Sequence, residues 1–302
     1  MGLSAPARRS GRFSLRSPRR PWVMGILNVT PDSFSDGGRS LNPDVALRYA
    51  EQMVRDGAQV IDVGGESTRP GAVPVSEDEE LRRVIPVIRR LAKRLRVAVS
   101  IDTSKAEVAR RAIEEGAVMV NDVSALRHDP AMARVVSRAK VPVVLMHRRG
   151  SPATMQRAPR YHDVVQDVKA WLQEAGRRAQ AAGIARERIL LDPGLGFGKT
   201  VWHNLELLHR LDALSDLGYP VVLGPSRKSF IGHALQLPVE ERVEGTLACV
   251  AHGLLHGVAM VRVHDVRPTV RFITMWKTIA HAARRQHRSR GHGQTSALGL
   301  RA

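Results

Sequence analysis

Val97-Ala98-Val99-Ser100-Ile101-Asp102 reads as a buried β-strand that ends in a charge. A strand covered on both faces shows such a nearly continuous apolar, β-branched run. The terminal carboxylate has no packing reason to be there. Two other runs repeat the pattern, Val118-Met-Val-Asn121-Asp122 and Ile189-Leu-Leu-Asp192-Pro-Gly194. Two more end in basic groups, Pro220-Val-Val-Leu-Gly-Pro-Ser-Arg-Lys228 and Met260-Val-Arg262-Val-His264. Polar groups at the exit ends of buried parallel strands collect on one face of the sheet, where α/β enzymes keep their sites. The pattern points to a site that reads a polar, ring-like ligand with acids and holds an anion with bases.

Working outward, short β-branched runs recur near 23–28, 60–64, 97–102, 118–122, 142–147, 189–192, 220–224 and 260–264. Amphipathic segments with legible ends separate them. Asn42 precedes Pro43, and that helix stops near Gly57. Ser76 and Glu79 have capping-box spacing ahead of Leu81, Val84 and Ile85, and Pro86 is expected to kink that helix. Ser104 opens 105–115, Asp129-Pro130 opens 130–139, and a long helix covers about 161 to 182. Helices near 203–217, 239–256 and 267–285 complete the set. Eight strands alternating with eight helices argue for a closed (β/α)8 barrel of class α/β. An open doubly wound sheet is the competitor, but no Gly-x-Gly-x-x-Gly follows the first strand.

The chain has 302 residues, 43% of them hydrophobic and only 4% aromatic, so the core is mostly aliphatic. Its single cysteine, Cys249, excludes an internal disulfide and fits a reducing cytosol. No apolar stretch reaches the length of a membrane span, and the Arg-rich start lacks the apolar segment of a secretory signal. The net charge of +18 is concentrated at the ends: residues 1–20 carry six arginines and residues 284–302 five, with no acid in either. Segments of that composition bury too little surface to order. The expectation is a disordered tail over 1–20, one barrel over 21–285 and a disordered tail over 286–302. A nucleic-acid contact is the alternative use of the arginines, but neither tail holds a nucleic-acid motif.

Gly194-Leu-Gly196-Phe-Gly198-Lys199-Thr200 looks like a phosphate loop, yet a P-loop needs four residues between its first Gly and the Gly-Lys pair and this segment has three. It reads as a loop where backbone approaches a ligand, with Phe197 as a stacking face. The first strand runs into the polar loop Asn28 to Gly38, and the second into Asp62-Val-Gly-Gly-Glu-Ser-Thr68-Arg69-Pro70-Gly71. Long polar loops at barrel strand ends are more often functional than structural.

These two loops, with Asp102-Thr-Ser-Lys, Asn121-Asp122, Met146-His147, Asp192-Pro-Gly-Leu-Gly-Phe-Gly-Lys, Ser226-Arg-Lys-Ser and Arg262-Val-His264-Asp265, resemble the dihydropteroate synthase family of folate biosynthesis, in order, over roughly residues 22–283. The resemblance implies condensation of (7,8-dihydropterin-6-yl)methyl diphosphate with 4-aminobenzoate, giving 7,8-dihydropteroate and diphosphate. It implies a pterin site of Asp102, Asn121, Met146, Asp192, Phe197 and Lys228. A diphosphate site would use Asn28, Thr68, Arg69, Arg262 and His264, with Asn28 the protein ligand to Mg²⁺. An aminobenzoate site would use Phe34, Thr68, Arg69, Pro70 and Ser226. Asp102, Lys228, Arg262 and His264 would be the catalytic set. A homodimer built through late helices, a cytoplasmic location and membership of a family of sulfonamide targets are further implications, with no nucleic-acid or membrane partner; sensitivity to the drugs is not among them.

The residue chemistry fits independently. Acceptor-only carboxylates match the adjacent N–H donors of a pterin edge, and a guanidinium matches phosphate oxygens. Taken singly, Asp102 and Asp192 could be caps, and Arg262 and His264 could pair with Asp265. No metal spacing links His147, His203, His252 and His256. Two other functions compete: a pterin barrel transferring methyl from methyltetrahydrofolate to a corrinoid partner, and a non-catalytic pterin- or RNA-binding paralogue.

Overall fold

The structure is a computed structural model describing residues 21–30, 43–67, 71–150 and 154–291. Eight parallel strands, β1 (Trp22–Asn28), β2 (Val60–Gly64), β3 (Ala98–Asp102), β4 (Met119–Asp122), β5 (Val143–Met146), β6 (Ile189–Asp192), β7 (Val222–Leu223) and β8 (Met260–Val263), pair in the order β6-β5-β4-β3-β2-β1-β8-β7. Leu191 bridges Val221, and the Leu191 amide donates to the Pro220 carbonyl at 2.9 Å, which closes the sheet between β6 and β7. The barrel expected from the sequence is the barrel observed; seven strands fall inside the runs read from it, and β1 starts one residue earlier, at Trp22. β7 is the shortest because Pro220 and Pro225, which lack an N–H, flank it.

The helices follow the strands: α1 (Pro43–Arg55), α2 (Glu77–Arg94), α3 (Ala106–Glu114), α4 (Met132–Ala139), α5 (Val164–Ala181), α6 (Val201–His209), α7 (Asp212–Ser215), α8 (Ser229–Leu235), α9 (Val243–Leu255) and α10 (Val266–Gly291). Ser76 does accept from the Glu79 amide at 3.3 Å. Several ends differ from expectation. α2 runs on through Pro86, since Val84, Ile85, Val87, Ile88 and Leu91 bury a face on both sides of it, which outweighs the ~3 kcal/mol a proline costs a helix interior. Ser104 does not cap α3; Asp129 reaches across, its Oδ2 accepting from the Ala106 amide at 2.8 Å. The segments expected as single helices over 203–217 and 239–256 each break into shorter pieces. α10 continues beyond 285 to Gly291, there being no proline or glycine from 285 to 290 to stop it. Residues 1–20 and 292–302 lie outside the described residues.

The barrel interior is where fold becomes site. Successive side chains alternate across a strand, so each strand sends every second residue inward. The lower inward layer is apolar: Met24, Val60, Met119, Val144, Leu190, Val222 and Met260 form one closed cluster. Two residues further along, roughly 7 Å higher, the same strands present Asp62, Asn121, Met146, Asp192, Gly224 and Arg262. The outward faces pack under the helices in a separate, larger aliphatic core that includes Ile61, Ile101, Leu145, Ile88 and Leu172.

Candidate active site

The upper layer and the strand exits enclose a cavity lined by Asp102, Asn121, Met146, Asp192, Phe197, Lys228 and Arg262, among others. All six residues expected to read a pterin are there. Val123, Met146, Met155 and Phe197 form one apolar wall. Lys228 Nζ stands 4.0 Å from the centre of the Phe197 ring, a cation–π contact.

The acids do two jobs. Asp192 is buried and spends Oδ1 on the Gly194 amide at 2.7 Å. It therefore caps the turn, as one sequence alternative had it, and lines the cavity as well. Burial raises its pKa, against the Gly194 amide and the charges of Lys228, Arg262 and Lys199. Burial likewise lifts the Asp102 carboxyl to about 7, with Arg262 opposing and Asp62 adding repulsion. The third strand-end acid, Asp122, is structural: its two oxygens accept from the Ser124 and Leu126 amides, each at 2.7 Å.

Arg262 is clamped from two sides. Nε donates to Asp62 Oδ2 and Nη2 to Asp102 Oδ2, both at 2.7 Å. Burial works against its charge, but the two carboxylates raise its pKa. Asp265, the alternative partner considered for Arg262 and His264, instead takes Arg227 at 2.9 and 2.6 Å. Ser226 Oγ accepts from the His264 amide at 3.1 Å and lies 3.0 Å from His264 Nδ1, to which its own proton donates when the ring carries its proton on Nε2. Burial and the nearby Arg262 and Arg227 charges pull the His264 pKa down to about 3. An imidazole so biased toward its neutral form offers an N–H donor beside the Arg262 charge. Ser226, expected at the benzoate end, is buried and engaged in orienting that ring.

Asn28 ends β1 opposite Gly64. A Cβ at Gly64 would stand 3.8 Å from Asn28 Oδ1 and 3.5 Å from Asp102 Cβ, so the glycine leaves an opening between amide and carboxylate. Phe34, Thr68, Arg69 and Pro70 lie outside the described residues.

Sequence reasoning missed three residues. Asp62 is fully buried and accepts from both Arg262 and, at 2.9 Å, Asn121 Nδ2. Its signal was a carboxylate in the middle of an apolar run. Lys199 and His147 form a buried pair 2.8 Å apart behind the cavity loop; nothing in the sequence placed them together.

The family model described as "Pterin binding enzyme" matches residues 24–264. Dihydropteroate synthase of Bacillus subtilis (strain 168) is 51% identical over 253 residues, 84% of this chain and 86% of the relative. The enzyme of Escherichia coli (strain K12) is 49% identical over 250 residues, 83% and 88% of the two chains. Among solved structures, Yersinia pestis dihydropteroate synthase with a sulfonamide drug superposes with TM-score 0.82 at 46% identity, covering 87% of this chain and 95% of that one. The Xanthomonas albilineans enzyme in complex with 7,8-dihydropteroate gives 0.78 at 44%, covering 87% and 94%. An eight-stranded barrel, a strand-exit cavity of acids and cations, and relatives at about half identity agree that the chain belongs to the dihydropteroate synthase family of pterin binding enzymes.

Proposed function

We propose that this cavity binds the pterin of (7,8-dihydropterin-6-yl)methyl diphosphate and that the strand exits around it carry out its condensation with 4-aminobenzoate. The observation that carries the reading is the cavity lining: Asp102, Asn121, Asp192, Lys228 and Arg262 converge beside the apolar wall of Met146 and Phe197. Asp192 and Asn121 take the pterin's N–H edge, Met146 and Phe197 its face, and Lys228 the side toward the second substrate.

In the reaction the aromatic amine nitrogen attacks the pterin's exocyclic methylene. A C–N bond forms, the C–O bond to diphosphate breaks, and the amine proton is lost to solvent. No general base is needed, because an aromatic amine is unprotonated near neutral pH. Positive charge that develops on the ring as diphosphate departs is met by Asp102. Arg262 and the Nε2–H of His264 face the departing oxygens. Asn28 offers one neutral oxygen beside an open slot, and among the described residues no group of three or more His, Cys, Asp or Glu could form a metal cage. That donor set suits a Mg²⁺ arriving on the diphosphate, whose charge it would neutralise. Thr68, Arg69, Phe34 and Pro70 complete the diphosphate and aminobenzoate sites in this reading, and a sulfonamide would compete with aminobenzoate.

A homodimer through the late helices goes with the reading, since Leu255, Met275 and Ile279 are exposed on α9 and α10. So does a cytoplasmic location; no helix among the described residues is long and apolar enough to cross a membrane. The test is release of pyrophosphate on mixing protein, Mg²⁺, the pterin diphosphate and 4-aminobenzoate. Release that needs both substrates is expected. Pterin binding without release would leave a binding protein, and methyl transfer from methyltetrahydrofolate without release would favour the corrinoid-type reading.

A further inference from the structure

The segment Gly194–Lys199 resembles a phosphate loop in sequence and does the opposite in the fold. In a phosphate loop the lysine reaches outward and the backbone N–H groups cradle an anion. Here Lys199 turns inward and is buried. Its Nζ meets His147 Nδ1 at 2.8 Å, the Gly194 carbonyl at 3.0 Å and the Phe197 carbonyl at 3.1 Å. Burial lowers the Lys199 pKa to about 7, with the Asp192 charge opposing and the Lys228 charge adding to the fall; in its ammonium form the group has three donors, and each has an acceptor. His147 Nδ1 accepts, so its ring proton is on Nε2, in keeping with a pKa pulled down to about 2 by burial and by the Lys199 charge.

The loop can wrap a cation only because of its glycines. Gly194 and Gly198 have φ of +65° and +66°. A Cβ at Gly194 would lie 1.9 Å from the His147 carbonyl oxygen, and one at Gly198 2.5 Å from that of Arg149. Two more loop carbonyls are held from outside: Gln156 Nε2 donates to Gly196 at 2.6 Å and Tyr161 OH to Gly198 at 2.7 Å. Within this wrap Leu195 and Phe197 line the cavity, and the Phe197 ring lies beneath Lys228.

We infer that Lys199 is a positioning residue for pterin recognition: its ammonium, buried under the loop, pins the Gly194 and Phe197 carbonyls to the end of β5 and so fixes the Phe197 ring and Lys228 against the pterin. The inference rests on the pterin reading above. It assigns to Lys199 no contact with substrate; its effect passes through Phe197.

The experiment is a double-mutant cycle read by calorimetric titration of a 7,8-dihydropterin lacking diphosphate. Wild type, Lys199→Met, Phe197→Ala and the double variant are compared, with thermal melts to confirm folding and pyrophosphate titrations as a second ligand. Each single variant should weaken pterin binding at least tenfold, and the double variant no more than about twofold beyond the worse single one. Pyrophosphate affinity should hold in all four. Lys199→Gln, which keeps two N–H donors without the charge, gives a second folded test and should show a smaller loss. Unchanged pterin affinity in either folded Lys199 variant, or losses that multiply in the double variant, would overturn the inference. Wild-type protein that binds no pterin would overturn the functional reading, and this inference with it.

Discussion

The two inward layers of the barrel are built from the same strands, two residues apart, and obey different physics. The lower one, Met24 through Met260, is closed by dispersion and the exclusion of water. The upper one holds Asp62, Asn121 and Arg262, which tolerate burial because they bind one another, and Asp192, which is held by the Gly194 amide. The lower layer can be tuned for stability because it contacts no solvent and no ligand. The upper layer spends stability on groups kept ready for a polar ligand. A barrel enzyme thus separates its two tasks by a single step of the strand pleat.

The sharpest way to break that contrast is to remove the cation. Arg262→Met leaves Asp62 and Asp102 buried without their partner, and breaking a buried ion pair costs about 3–5 kcal/mol. The loss should be largest in melts at pH 8 and shrink at pH 5.5, because the Asp102 carboxyl, already lifted to about 7 by burial, takes up a proton there. A pH-independent loss would mean that the pair is ordinary packing. Since Arg262 also lines the cavity, pterin and pyrophosphate affinity should both fall.

Next in size is Met119→Ala in the lower layer, expected to cost about 3 kcal/mol by denaturant titration while the folded fraction keeps its pterin affinity. A fall in affinity would show that the layers are coupled. A third test moves to the rim. The folded His147 pKa, about 2, lies below its ordinary 6.5, so the unfolded state binds the extra proton. This contribution is complete above pH 6.5 and lost as pH falls; at pH 5 the loss is about 2 kcal/mol. Asp102 acts in the other direction over the same range, so the quantity to compare is wild type minus His147→Gln, whose profile should lack that slope. The smallest effect expected is on the ligand alone: Asp192→Ala should weaken pterin binding at least tenfold, about 1.4 kcal/mol, with little change in melting temperature.

Much of this was legible in the sequence because strand-exit chemistry breaks an apolar pattern at its end, where it is conspicuous. Asp102, Asn121, Asp192, Lys228 and Arg262 all announced themselves that way, and all line the cavity. Asp62 did not, because a carboxylate in mid-strand looks like an irregularity until its partner on β8, 200 positions away, is known. Ser226 and His264 were assigned by position; only the geometry reveals that the serine orients the histidine and that the ring is buried, which lowers its pKa. The inward turn of Lys199 depends on carbonyl directions that residue types alone do not specify. Helix ends failed where a long-range cap, Asp129 on α3, replaced a local one.

The closure of the barrel has a consequence for how it breathes. Between β6 and β7 the cylinder is stitched by the Leu191–Val221 bridge and the Leu191 amide's bond to Pro220, beside a two-residue strand. A ring opens at its weakest join. Asp192 stands on one lip of that seam, Gly224 and Lys228 follow from the other, and all three line the cavity. A pterin seated among them would act as a rivet across the join, and the Leu191 amide is where its arrival should appear as slowed exchange with deuterated solvent.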